Sequence, residues 1–278
     1  MNIAQFFDLR GELPKRTKTI LEISGLILLM VTWEFTSLWI NNKVILPSPV
    51  QVYNAFVEIL CAHSKETSDG FWSRHTGEGT LLYNLGFSLK INLLGYLVAI
   101  CISVPVGFML GLFPIFKAIS GRYIDAIRFV PLNAITGLFI VWFGIGTNMK
   151  VEFLAFGIIV YMLPVVVQRI MDVEQVYVDT VYTLGASKWQ TIWNVFLPSV
   201  MAKLFDDIRV LVAISWTYII IAELINNEGG IGGMIYGASR RSRTDVQFAL
   251  LALIVVVGIL QDKAFVAASK KIFKFKYV

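Results

Sequence analysis

Charged side chains are scarce in this sequence. Only 15% of its 278 residues are Asp, Glu, Lys or Arg, whereas 56% are hydrophobic, and the mean hydropathy is +0.70. A soluble domain carries about 25% charged residues. The composition therefore excludes an ordinary water-soluble protein and predicts a chain that lies in a lipid bilayer.

Cysteine and histidine are scarcer still, which excludes several kinds of site. Cys61 lies outside the apolar segments and Cys101 lies inside one, so no disulfide is expected. His63 and His75 have no carboxylate or thiol at a ligand spacing, so neither a metal nor another cofactor is expected. The sequence also lacks the Walker nucleotide-binding run, the Gly-x-Ser-x-Gly elbow and the His-Glu-x-x-His motif. We therefore expect no enzymatic activity in this chain.

Long apolar windows are abundant. A helix needs about 20 mostly apolar residues to cross ~30 Å of hydrocarbon. Windows of this kind lie at 20–40, 89–112, 126–147, 151–170, 205–225 and 246–267. Because lipid offers no partner for free backbone N–H and C=O groups, each window should be a helix. The sequence predicts an all-α integral membrane protein with about six transmembrane helices.

The positions of Lys and Arg predict the orientation of these helices. With the N-terminus inside, the cytoplasmic segments hold 14 of these residues and the external segments 7, which agrees with the positive-inside rule. The N- and C-termini are then both cytoplasmic. Three further cations, Lys90, Arg128 and Arg209, lie near the ends of windows, where they are expected to reach the lipid headgroups.

The orientation divides the chain into five segments. These are a cytoplasmic N-terminal segment (1–19), an anchor helix without a cleavage site (20–40), an external loop with a short interfacial helix (41–88), a core of five transmembrane helices (89–267) and a basic cytoplasmic tail (268–278). The net charge of +5 is spread over the loops and the tail. This favours membrane lipid over nucleic acid as the partner.

A cytoplasmic loop within the core, 171–203, carries a spaced motif. Asp179 is followed after five positions by Gly185, and a Val-x-Leu-Pro run ends at Pro198. A short helix, a glycine that permits a tight bend and a second helix stopped by Pro198 predict a rigid knob. Trp189, exposed on such a knob, would suit a groove in another protein.

This motif resembles the EAA signature of ABC-importer permeases, although Thr180 and Val181 stand where the signature has two alanines and Asp179 replaces its Glu. Other motifs occur in the same order in permeases for sulfonates, taurine, nitrate and bicarbonate, over about residues 44–270: Leu46-Pro-Ser-Pro49, Phe143-Gly-Ile-Gly146, Leu184-Gly-Ala-Ser187, Ala222-Glu-Leu224 with Gly230-Ile-Gly232, and Arg243-Thr-Asp245. The resemblance assigns an ATPase-coupling loop to Asp179, Gly185, Ala186, Ser187, Lys188, Trp189, Leu197 and Pro198.

The resemblance implies a type I ABC importer in a bacterial cytoplasmic (inner) membrane. Such an importer has two permease subunits, usually a homodimer, two cytoplasmic ATPase subunits and an external solute-binding protein. Transport would follow alternating access, with ATP and the loaded binding protein both favouring the outward-facing state. The sequence is compatible with several solutes, namely sulfonates, nitrate, bicarbonate and uncharged heterocycle precursors. It favours a small polar or anionic one.

Polar residues within the apolar windows are candidates for lining the transport path. They are Asn133, Thr136, Ser215, Tyr218 and Glu223. An ionisable group in a membrane is costly, which makes Glu223 a functional candidate, but a helix cap or a salt bridge explains it equally well. Arg240, Arg241 and Arg243 are expected to dock an acidic binding protein or, less favoured, to attract an anionic solute.

Two interpretations from other classes compete with an importer permease. One is an ATP-independent secondary transporter or channel that uses Glu223 or Asp262 as an ion relay. It predicts an inverted repeat, and no counterpart of the 171–203 loop occurs in the other half of the sequence. The other is an intramembrane hydrolase, which lacks a paired nucleophile and base here.

Overall fold

The computed structural model describes residues 14–61, 81–225 and 229–274. The described backbone is helical almost throughout, which confirms the predicted all-α fold. The helices are α1 (Lys15–Ile40), α2 (Pro49–Cys61), α3 (Leu81–Leu112), α4 (Pro114–Ile127), α5 (Leu132–Phe143), α6 (Thr147–Met171), α7 (Gln175–Thr183), α8 (Lys188–Ile225), α9 (Ile231–Arg240) and α10 (Thr244–Ile272). His63, His75, most of the predicted N-terminal segment and the end of the predicted tail lie outside the described residues.

Most of the apolar windows lie within single long helices. α1, α3, α6, α8 and α10 have 26, 32, 25, 38 and 29 residues, and each is apolar enough to cross a membrane. The window at 126–147 does not form one straight helix, because α4 and α5 meet there at an angle of 106°. α5 has 12 residues, so it is about 18 Å long and shorter than the hydrocarbon core. The expected third span is therefore a broken span or a re-entrant segment.

Pro131 accounts for this break. It lies directly before α5 with φ −65° and ψ 116°, which is an extended conformation. Proline lacks a backbone N–H and disfavours a helical conformation in the residue before it. Pro105 and Pro164, by contrast, lie inside α3 and α6, where the helices continue through them.

The chain forms two compact units, Met1–Ile59 with Ala238–Ala249, and Leu60–Gly237 with Leu250–Val278. In the first unit, α2 lies within the segment predicted as an external loop, and it buries Val52, Ala55 and Ile59 at helical spacing. α1 buries none of its side chains, in keeping with contact between its apolar surface and lipid.

The core of the second unit lies between α3, α6 and α8. Glycines let α3 approach α6 closely, because a Cβ atom on Gly107 would lie 2.5 Å from Cγ1 of Val166, and one on Gly95 would lie 2.8 Å from Cδ2 of Leu154. Small residues at helix interfaces permit this packing in membranes. These three helices carry most of the polar contacts described below.

Candidate functional site

A short projecting knob, defined here as residues 175–191, follows the long helix α6. It consists of α7, a turn and the first residues of α8. Gly185 has φ +80°, a left-handed conformation that glycine adopts at little cost. Ser187 then caps α8 by a capping box, since the Gln190 N–H donates to Ser187 Oγ (3.4 Å) and the Ser187 N–H donates to Gln190 Oε1 (2.7 Å). These contacts fix the bend between the two helices.

The knob presents apolar side chains outward. Trp189 is 69% exposed and Leu184 is 80% exposed, and Tyr177 and Tyr182 are also exposed. The predicted residues Asp179, Gly185, Ser187 and Lys188 are exposed as well, whereas Ala186 is half-buried. Asp179 accepts a hydrogen bond from Gln175 Nε2 (2.9 Å) on the preceding turn of α7. An exposed aromatic residue on a rigid support is the kind of group that anchors a protein interface.

Leu197 and Pro198 do not belong to this exposed surface. Both are half-buried in α8, and the helix continues through them to Ile225, so the expectation that Pro198 stops the helix is wrong. The preceding residues, Ile192–Phe196, form a π-helical turn. A proline ring collides with the carbonyl four residues earlier, and the wider π turn accommodates it.

An ion-pair cluster that was not predicted from the sequence anchors the base of the knob. Arg169 on α6 donates from Nε and Nη2 to both carboxylate oxygens of Asp207 on α8 (2.6 and 2.7 Å), and from Nη1 to Asp172 (2.8 Å). Lys203 Nζ donates to the Asp172 carbonyl (3.2 Å). Hydrogen bonds from Gln168 and Arg169 lower the pKa of Asp172 below its usual value. The only signal in the sequence was the i, i+3 spacing of Arg169 and Asp172.

Glu223 caps the start of α9. The N–H groups of residues 230–232 donate to Asn84 Oδ1 (2.8 Å), Ser88 Oγ (2.9 Å) and Glu223 Oε2 (2.7 Å), and Ser88 Oγ donates to Glu223 Oε1 (2.6 Å). These three side chains are fully buried. A carboxylate at a helix N-terminus is favourable because N–H groups there lack partners within the helix. The geometry is that of the helix cap considered in the sequence analysis.

Lys150, which lies between the third and fourth apolar windows of the sequence, is fully buried beside this cap. Its Nζ lies 5.2 Å from the centre of the Phe87 ring, and its charge interacts with Glu223. A buried charge needs such partners. The cap therefore joins α3, α6, α8 and the start of α9.

The remaining candidates for lining a path lie in different places. Asn133 and Tyr218 line one cavity at the break between α4 and α5. Ser215 is buried and donates to Asn92 Oδ1 (3.1 Å) on α3. Thr136 donates to the Asn133 carbonyl of its own helix (3.0 Å). The structure thus brings together two of the five candidates.

Arg209 and Asp262 pair with each other. Arg209 donates to both Asp262 oxygens at 2.8 and 2.9 Å, joining α8 to α10. Arg209 was expected to reach the lipid headgroups, but its side chain forms an ion pair with the Asp262 carboxylate instead. The ion pair gives Asp262 a structural role, so an ion relay is not needed to explain this carboxylate.

The predicted docking arginines differ in their surroundings. Arg243 donates from Nη2 to Glu58 (2.8 Å) and from Nε to Asp245 (3.0 Å), and both carboxylates raise its pKa. Arg240 is exposed and Arg241 is half-buried. Arg243 is thus engaged within its own unit.

Metal-binding clusters of His, Cys, Asp or Glu do not occur within the described ranges. Cys61 and Cys101 are both exposed. The knob, the broken helix and the long apolar helices together describe a multi-pass helical membrane protein.

Residues 103–272 match the family described as binding-protein-dependent transport system inner membrane component, and the chain belongs to this family. It is 28% identical over 265 residues to the taurine transport system permease protein TauC of Escherichia coli (strain K12), with 95% of this chain and 92% of that protein covered. It is 27% identical over 189 residues to the nitrate import permease protein NrtB of Synechococcus elongatus, covering 63% and 64% of the two chains.

An inward-facing structure of the MetNI methionine ABC transporter shares the fold. It aligns with a TM-score of 0.61 at 17% identity, covering 74% of this chain and 98% of that one. The fold and the family together confirm the predicted ABC-importer permease, in the branch that includes the taurine and nitrate permeases. The chain is a non-enzymatic, multi-pass membrane subunit of a transport system.

Proposed function

We propose that this chain, paired with a second copy of itself, forms the path for a small polar or anionic solute in a bacterial cytoplasmic membrane. Two separate ATPase subunits drive transport through the knob by alternating access. The observation that carries this proposal is the exposed turn at Gly185 and Ser187, which presents Trp189 on a fixed support. Motion of a partner bound there is transmitted to α6 and α8, because Arg169 clamps these helices together at the base of the knob.

The names of two relatives and the polar groups of the second unit support the proposed solute class. Taurine and nitrate, named in two relatives, both present a small oxyanion. Arg128, Asn133 and Tyr218 provide matching donors at one cavity. An external solute-binding protein delivers the solute, and Arg240 and Arg241 are the proposed docking residues for it. In the proposed arrangement, the knob and both termini face the cytoplasm, opposite the binding protein.

The ion-relay alternative has less support. Glu223 holds the N-terminus of α9, and Asp262 holds Arg209. Each carboxylate already has a structural task, whereas the exposed surface of the knob has none among the described residues. An ATPase-coupled permease uses that surface, and a transporter that works alone does not.

Replacing Trp189 tests the proposed partnership with an ATPase. The tagged chain is purified in mild detergent from its native membrane, and co-purified proteins are identified by mass spectrometry. Removing an aromatic anchor costs about 2 kcal/mol or more of binding free energy, which is about 30-fold in affinity. Trp189→Ala should therefore lose a bound ATPase that the unmodified chain retains.

Trp39→Ala is the matched control, because Trp39 is 81% exposed on α1 and far from the knob in sequence. This variant should retain the ATPase. If the unmodified chain brings no ATPase with it, or if both variants retain it equally, the knob is not the coupling element.

A further inference from the structure

A cavity of about 250 Å³ opens where the chain bends between α4 and α5. Its polar lining comes from three segments: Arg128 and Asn133 at the break, Tyr161 on α6 and Tyr218 on α8. The two tyrosine rings stack with centroids 6.4 Å apart and planes inclined by 20°. Because a water molecule occupies about 30 Å³ of liquid, the cavity has room for a molecule of several heavy atoms.

Arg128 brings a cation to this cavity. Its Nε donates to the Asp125 carbonyl (3.1 Å), and the Asp125 carboxylate lies 3.9 Å from Nη2, beyond hydrogen-bond distance. Both Nη groups therefore remain as donors within the described part of the chain. A guanidinium presents two parallel N–H groups, the geometry that suits a planar or tetrahedral oxyanion.

Further donors surround the same space. The side-chain amide of Asn133 and the hydroxyl groups of Tyr161 and Tyr218 belong to lining residues. α5 begins at the cavity with no side-chain cap, since Pro131 occupies the N-cap position. The first N–H groups of α5 thus add to the positive potential there. A cation, neutral donors and an uncapped helix start together favour a negatively charged ligand.

We propose that this cavity is a solute site for a small oxyanion head group, such as a sulfonate, with Arg128 as its charge partner. This proposal rests on the proposed function and deepens it. It assigns a solute site to the permease itself, separate from the site of the external binding protein. A sulfonate oxygen pair accepts hydrogen bonds from the Arg128 Nη groups, and Asn133 and Tyr218 contact the remaining oxygen. Arg128 was expected to lie among lipid headgroups, but the break at Pro131 places it on a cavity.

The test measures uptake by the complete transporter in proteoliposomes, with ATP inside and binding protein outside. The probes are taurine, methanesulfonate and nitrate. Since the binding protein sets the solute concentration that gives half-saturation, loss of the site should lower the maximal rate more than it raises KM. Arg128→Gln should reduce the maximal rate about tenfold or more, the change expected on losing a hydrogen bond to a charged group. Arg128→Lys, which keeps the charge but loses the paired N–H groups, should retain more of the rate than Arg128→Gln.

Arg122→Gln is the control, because Arg122 is an exposed cation of α4 that does not line the cavity. Equal maximal rates in Arg128→Gln and Arg122→Gln, with ATP-dependent uptake intact, would overturn the solute site and leave the proposed function standing. Equal loss in Arg128→Gln and Arg128→Lys, accompanied by loss of the ATPase from the complex, would make Arg128 a structural residue. Absence of uptake of all three probes by the unmodified transporter would overturn both the anionic site and the proposed solute class.

Discussion

The turn at Gly185 yields a prediction in which backbone conformation alone is changed. A Cβ atom at this position would meet nothing within 4 Å, so side chains of any size fit. The φ of +80° is the obstacle. A left-handed conformation costs an ordinary residue about 1–2 kcal/mol, and a β-branched residue is a more extreme outlier there than Asn, which tolerates it best among non-glycine residues. Gly185→Val should therefore destabilise the turn by about 2 kcal/mol or more, and Gly185→Asn by less than 1.

The loss of transport and of ATPase binding should be larger for Gly185→Val than for Gly185→Asn. If the alternative turn is otherwise equal in energy, about 2 kcal/mol lowers the fraction of knobs in the native turn from about one half to about 3%, which is about 15-fold. Gly185→Val should therefore lose most uptake, while Gly185→Asn should lose much less. ATP-dependent uptake and co-purified ATPase are measured together. Gly86→Val is the control, since Gly86 lies in α3 with open space around it and no left-handed φ. The reasoning fails if the Val variant works normally, or if the Asn variant is as defective as the Val variant.

Three further predictions concern the supporting contacts. Gly230→Ala should lower the thermal stability of the purified chain, because the added Cβ collides with the buried Glu223 carboxylate and overpacking costs about 1–3 kcal/mol; an unchanged melting temperature would contradict the cap. Asp207→Asn should weaken the clamp from Arg169, so that ATP hydrolysis continues while uptake falls; a parallel fall in both, or in neither, would argue against transmission through the clamp. Charge reversal at Arg240 and Arg241 should weaken association with the binding protein, most strongly at low salt, and equal association with and without the reversal would remove the docking proposal.

The long helices were predictable because hydropathy reports what a bilayer requires. Five windows coincide with single helices, and α2 begins at Pro49, where its proline opens the first turn. A hydropathy window, however, reports only the composition along the chain. It cannot detect a bend of 106° between two apolar helices. Pro131 was visible in the sequence, but a proline inside an apolar window is compatible with a kink as well as with a break.

The turn of the knob was predictable from the sequence, whereas the continuation of its second helix through Pro198 was not. Gly185 and Ser187 are local signals, since each acts on backbone groups a few residues away. Pro198 was misjudged because its effect depends on the hydrogen-bond pattern before it, and the π turn at Ile192–Phe196 leaves no trace in the composition.

The charged residues of the core were the least predictable. Arg209 pairs with a residue 53 positions away, and Arg169 with one 38 positions away. Lys150 lies between two apolar windows of the sequence, yet it is fully buried. Sequence position shows where a charge lies along the chain, but only the packing of helices brings its partner near. The role of Glu223 as a cap likewise depends on Asn84 and Ser88 from another helix.

ATP-dependent uptake by the reconstituted transporter tests the central claim most directly. Proteoliposomes that contain this chain and its co-purified ATPase are supplied with binding protein and labelled taurine, with and without internal ATP. The account predicts uptake against a gradient only when ATP, the ATPase and an intact knob are all present. Accumulation that persists without ATP or the ATPase, driven by an ion gradient, would contradict it and favour a transporter that works alone.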